Sequence, residues 1–367
     1  MRYRKVKLSL PYTLKNRNGE DVTLETLIWE NGASEAIQRL QQDFIQPIDI
    51  RAIEAASRYW SAQLHPPLTL HSNFTRFALP MDHPKSKTEE WQRINNDFKC
   101  ILSSGHIPKD NNLIPAGLPF GSKARLILIY INTEAYRNDY GIISMGKSLS
   151  EFMKKLGIHV TGGQNGSIRY IKEQAARLAR CRFQFYYPKS FDSEYQIEDL
   201  AFANTQLWEI TSNKNSWVTE LRVNKDFKAS LDKHSVVLDA VAISILRNRP
   251  FALDWYIFLA FRLQATTREK LITWANLYGQ LGSRTERIID FKIKSIDALK
   301  LVSAVFPTAR LNVTGQGVWV QPSIPVKNRI DSWLGGKTHI QAHSQALDFV
   351  PAHKKIKGEN QCPQLLD

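Results

Sequence analysis

Gly141-Ile-Ile-Ser-Met-Gly146-Lys147-Ser148 fits the pattern G-x-x-x-x-G-K-[ST] letter for letter. That spacing lets a glycine-rich loop cradle phosphates through backbone amides while its Lys reaches the outer phosphates. Such a loop needs an apolar strand running into its first glycine. Here Tyr136-Arg-Asn-Asp-Tyr140 precedes Gly141, and the loop's own interior, Ile-Ile-Ser-Met, reads as a strand. Val236-Val-Leu-Asp239 would have to supply the magnesium-binding acid, and short apolar runs ending in Asp are common. The plainer account of Lys147 is a basic residue ahead of Ser148, itself a helix cap. Nucleotide hydrolysis is therefore the lesser alternative.

Other catalytic constellations are weaker. DNA-nicking chemistry by a Tyr nucleophile needs a metal held by a His-hydrophobic-His triplet, and the sequence contains none. His339 and His343 are four apart but lie in a polar stretch without partner carboxylates; His159 and His234 stand alone. Cys100, Cys181 and Cys362 are widely separated and lack metal-ligand spacing, which points to a reducing compartment without disulfides or structural zinc. The expectation is a protein with no enzymatic activity, no metal and no cofactor.

Charge supplies a stronger lead. The 367 residues carry a net +14. Residues 1–118 hold 15 basic and 13 acidic side chains, residues 331–367 four of each, and residues 119–189 alone 12 basic against 4 acidic. A positive field concentrated in this way suits a polyanion, of which nucleic acid is the commonest. Apolar runs such as Leu126 to Ile131 are far short of a membrane span, and the basic start has no sustained apolar stretch behind it. No membrane partner and a cytoplasmic location are the expectations.

The elements that must position these charges recur in one order. Apolar residues at helix spacing run from 122 to 137, Ile142 to Met145 reads as a strand, and Ser148 caps a helix stopped by Gly157. A Gly-rich loop then leads to a helix over about 167–181, followed by strand-like Phe183 to Tyr187 and the segments 206–211 and 216–223. In the second half Phe251 to Phe261 is helical, Thr273 caps a helix ending at Gly282, a helix covers about 286–304, and Ala309 to Pro322 makes two strands around a Gly-rich turn. Ser148–Gly157 and Thr273–Gly282 have equal length, both end Leu-Gly, and lie 125 residues apart. This is an internal duplication.

Helix, strand, helix, turn, helix, hairpin is the order of a winged helix, whose second paired helix lies in the major groove. In the helix at 167–181, Ile168, Ile171, Ala175 and Leu178 form one buried face. Arg169, Ala176 and Arg180 gather away from it, with Lys172 and Arg177 at the margins and Arg182 just beyond. Gly166 and Ser167 are expected to leave backbone N–H groups free for a phosphate. The second copy is more mixed: Ile288, Ile289, Ile296, Leu299 and Val302 mark its core face, while Arg287, Lys294 and Lys300 alternate with Asp290 and Asp297. The DNA-contacting set is thus Lys147, Ser167, Arg169, Lys172, Ala176, Arg177, Arg180, Arg182, Arg287, Lys294 and Lys300.

Gly117-Leu-Pro-Phe-Gly-Ser-Lys-Ala-Arg-Leu, Ser148-Leu-Ser-Glu-Phe-Met-Lys-Lys-Leu-Gly and Thr161-Gly-Gly-Gln-Asn-Gly-Ser-Ile resemble plasmid RepA-type replication initiators. Pro250-Phe-Ala-Leu-Asp-Trp-Tyr-Ile-Phe-Leu-Ala-Phe-Arg-Leu and Phe291-Lys-Ile-Lys continuing to Ala304-Val-Phe-Pro are similar too. The resemblance covers about 75–326. It implies an α+β, mostly helical fold with two tandem winged-helix domains, reading helices at about 165–182 and 285–303, and binding to repeated double-stranded origin DNA. It also implies help in origin opening, recruitment of a host initiator and replicative helicase, and a homodimer that represses its own promoter. A tandem winged-helix repressor is the binding-module alternative. The organisation read here is an N-terminal region at 1–75, a linker at 76–118, winged-helix domains at 119–230 and 231–327, and a tail at 328–367 expected to be mobile.

Overall fold

The computed structural model describes residues 8–326 except 17, 43–45, 64, 85–89, 96–97, 110–111, 164–165, 189–194, 201–219 and 283–286. The segment 206–211, the tail, His339, His343 and Cys362 therefore lie outside the described residues.

The chain starts with β1 (Leu8–Leu10), then the hairpin β2 (Thr13–Lys15) and β3 (Asp21–Thr23). Asn18-Gly19 turns that hairpin, with Gly19 at φ 77° and the Asn16 side chain accepting from two turn amides. Three helices follow, α1 (Leu24–Asn31), α2 (Ala33–Gln42) and α3 (Pro47–Trp60), the last started by Pro47. β4 (Leu68–His71) leads through a short 3-10 turn to two hairpins, β5 (Glu90–Asn95) with β6 (Phe98–Ser103) and β7 (His106–Lys109) with β8 (Asn112–Pro115). The stretch read as a linker thus contributes four strands. Its Pro and Asn content reflects turns between short strands.

The first repeat is α4 (Gly121–Arg137), β9 (Ile142–Ser144), α5 (Leu149–Lys155), α6 (Ser167–Arg180), β10 (Arg182–Pro188), β11 (Tyr195–Leu200) and β12 (Glu220–Arg222). α7 (Lys225–Lys233), β13 (Ser235–Leu238) and α8 (Ala240–Leu246) connect it to the second. That repeat is α9 (Pro250–Gln264), β14 (Lys270–Thr273), α10 (Trp274–Leu281), α11 (Ile288–Val305), β15 (Leu311–Val313) and β16 (Gly317–Val320). The duplicated caps do the same job. The hydroxyls of Ser148 and Thr273 each accept from the amide three residues on, Glu151 and Asn276.

The two repeats share their helices and differ in their sheets. In the second, β14 pairs with β16 and β16 with β15, and β1 adds a fourth strand against β15. In the first, β10 pairs with β11 on one edge and with β6 on the other, giving the order β11-β10-β6-β5. β9 pairs separately with β12. The fold is α+β, with one continuous apolar core in which α4 and α9, buried along most of their length, lie at the centre. The N-terminal helices join that core: α3 packs along α11, and β4 pairs with β13.

Candidate nucleic-acid interface

The helix expected to read DNA in the first unit, α6, buries Ile171, Ala175 and Leu178 against α4 and α5, as their spacing of three and four requires. Arg169 and Arg182 are exposed, while Lys172, Ala176 and Arg180 are half-buried. Tyr170, 43% exposed beside Arg169, was not singled out in the sequence; an aromatic off the apolar face of a basic helix is the signal that finds it.

Two expectations for this helix are corrected. Arg177, placed at the margin by its helical angle, is buried. It donates to the Leu118 carbonyl at 2.8 Å and to Glu173 at 2.6 Å, contacts His83 at 3.0 Å, and lies over the Phe120 ring. A Cβ at Gly117 would sit 2.8 Å from its guanidinium, so this strap needs glycine, which also holds φ 82° there. Arg177 is therefore a structural residue rather than a groove contact. The helix N-terminus is not open to phosphate through the amides expected. Gly166 N donates to Gly163 O, Ser167 N to the Thr161 hydroxyl at 2.9 Å, and Ile168 N to the Thr161 carbonyl. The Ser167 hydroxyl in turn donates to His159 O at 2.6 Å. Thr161, eight residues after the previous helix's last Met, folds back to supply the acceptors.

Lys147 is exposed. Its backbone N–H donates to the Glu151 carboxylate at 2.8 Å, and Ser148 caps α5. Residues 142–144 are strand β9 rather than an open loop. A carboxylate thus occupies the Lys147 amide that a phosphate cradle requires.

In the second unit, exposed Arg287 makes a two-point pair with Asp290 at 2.7 and 2.9 Å, which holds that carboxyl below its ordinary range. Lys294 is exposed. Lys300 is not: it reaches Asp49 at 2.6 Å and lies over the Tyr12 ring, because α3 covers that end of α11. Ile288, assigned to the core face, is 42% exposed, and Ile293 is 56% exposed. Phe291 fills the interior instead, ringed by Phe251, Trp255, Trp274 and Tyr278. The more exposed part of α11 is its first half.

Reactive groups elsewhere are muted. Burial pushes the Cys100 thiol up to about 12, and the Cys181 thiol upward as well. No cluster of three or more His, Cys, Asp or Glu side chains suited to a metal ion occurs among the described residues, and none of their helices is long and apolar enough to cross a membrane.

No curated protein sequence matches the chain. A crystal structure of domains 2 and 3 of RctB is similar at 10% identity and a TM-score of 0.40, covering 67% of this chain and 93% of that one. The model of one sequence family, plasmid encoded RepA protein, matches residues 118–276, from the strap before α4 through the start of α10. That span, under half of the chain, holds the whole first unit and the opening of the second, and across it the chain is similar to plasmid encoded RepA proteins.

Proposed function

We propose that this protein initiates plasmid replication by binding repeated double-stranded DNA with α6 and the first half of α11. The observation that carries this is α6 itself: one packed face, and Arg169, Lys172, Arg180 and Arg182 at or near the surface within 14 residues. The match to plasmid-encoded RepA proteins supports the plasmid setting. Phosphate contacts from these cations position the helix, and side chains at the groove floor read bases. Binding in this scheme opens the origin and brings in a host initiator and replicative helicase, with a homodimeric form repressing the gene. The protein acts in the cytoplasm without catalysis or cofactor.

A footprint across the DNA flanking the coding sequence tests the reading. Protected repeats, with affinity falling steeply as salt rises, are expected; no protection at any salt overturns it. Plasmid maintenance dependent on that same DNA separates an initiator from a repressor. ATP hydrolysis abolished by Lys147→Ala would replace this reading with a nucleotide-driven one.

A further inference from the structure

The first helices of the two units, α4 and α9, meet across the centre of the molecule through an ion pair. Arg125, the fifth residue of α4, donates to both oxygens of Asp254, the fifth residue of α9, from Nε at 2.6 Å and Nη2 at 2.7 Å. Both side chains are buried. The remaining donors of the guanidinium go to three carbonyls, Gly121 at 2.8 Å, Pro80 at 3.2 Å and Leu79 at 2.6 Å. All five N–H groups of the fork are used.

A buried pair of this kind adds little stability over apolar side chains of the same volume. What it does impose is geometry, because a planar fork meets a carboxylate on two parallel bonds in only one relative placement. A second tie runs in parallel. Arg93 on β5 belongs to the sheet that contains β10, and its Nη2 donates to the Gly282 carbonyl at 3.0 Å, at the end of α10 and just ahead of α11. Its guanidinium is held over the Trp91 ring. One tie joins the first helices of the units, and the other joins the first unit's sheet to the helix turn of the second.

We propose that Arg125, Asp254 and Arg93 form a spacing gauge. They hold α6 and α11 at one separation and one angle, and so fix the distance and helical phase between the two DNA segments these helices read. This rests on the DNA-binding reading above. The three are positioning residues that touch no DNA, and they set which arrangement of half-sites is accepted rather than which bases.

The test uses the full chain and a duplex it selects from random-sequence DNA, with one, two, three or five base pairs then inserted between the two protected segments. Each added pair rotates the second segment by roughly a tenth of a turn. The wild type is expected to lose about 100-fold in affinity at two or three inserted pairs. Arg125→Met/Asp254→Leu replaces the pair with apolar side chains so that the core stays filled. Arg93→Ala acts at a half-buried strand position. Both variants are expected to lose less than about fivefold across the series, while binding a single half-site as the wild type does. Unchanged steepness in both variants overturns the gauge, as does a wild type indifferent to spacing or a loss of single half-site binding in folded Arg93→Ala. A wild type that selects no duplex overturns the DNA-binding reading itself, and the gauge with it.

Discussion

The two units carry the same helices in the same order and end differently, and the contrast separates what a duplication preserves from what it leaves free. In the second unit the sheet closes on its own strand β14 and takes β1 from the N-terminal region. In the first unit the corresponding strand β9 leaves for β12, and β10 is completed by β6 from the preceding segment. The helices proposed to read DNA diverge in step. α6 keeps most of its cations at or near the surface along its length, whereas α11 has its second half enclosed by α3 and α9. Helix order is set locally by caps and periodicity. Sheet partners are set by whichever strand the rest of the chain brings alongside, and so can change without disturbing the helices.

The largest expected effect strikes the second unit's core. Phe291→Ala removes a fully buried ring packed among four aromatic side chains, and urea unfolding should show a loss of about 3–5 kcal/mol. A near-neutral result would mean that α11 is not the keystone of that unit.

Next comes the seam where the N-terminal helices meet the second unit. Asp239 caps α8 through the amides of Val241 and Ala242 and accepts from the Tyr59 hydroxyl at 2.8 Å. Burial pushes its carboxyl up to about 6 against those bonds. The folded state therefore holds this proton more tightly than the unfolded chain. The group's contribution is complete below about pH 4 and is lost as the pH rises through 6, a change of about 3 kcal/mol. Asp239→Asn keeps the cap and removes that dependence, so the variant should gain on the wild type in melts at pH 7.5 relative to pH 4. Parallel curves for the two proteins would refute the shift.

On α6 the two kinds of arginine should part. Arg177→Ala is expected to cost about 2 kcal/mol of stability by stranding Glu173 and the Leu118 carbonyl. Arg169→Ala should leave stability within about 0.5 kcal/mol and weaken duplex binding by about 1–2 kcal/mol. The same behaviour from both would erase the distinction between strap and surface. The smallest effect belongs to Lys294→Ala on α11. It should weaken binding by less than about 1 kcal/mol, equally across DNA sequences, and lower the salt slope by about one. A larger loss there than at Arg169 would move the main contact to the second unit.

The sequence displayed the local features well. The caps at Ser148 and Thr273, the Leu-Gly ends, the limits of α6 and the turn before β16 all lie within a few residues of their causes. What it concealed depends on distant segments. Lys300 meets Asp49 across 251 residues, and no helical wheel of α11 contains that information. Arg177 lies at the margin of its wheel, and only the strap at 117–120 decides that it is inside. The amides at the start of α6 looked open because their acceptor, Thr161, sits across a glycine loop. The strands between 90 and 115 were hidden by composition, since short hairpins spend many residues on turns.

The pairing of β1 with β15 has a consequence for biosynthesis. Leu8–Leu10 leave the ribosome about 300 residues before Leu311–Val313 exist to receive them. At ordinary translation rates of about 5–20 residues per second, that strand waits roughly 15–60 seconds without its partner. The helices and the first unit have time to form on the nascent chain in that interval. The second unit's sheet cannot be completed before that interval has passed, so the unit that contains α11 is finished after the first.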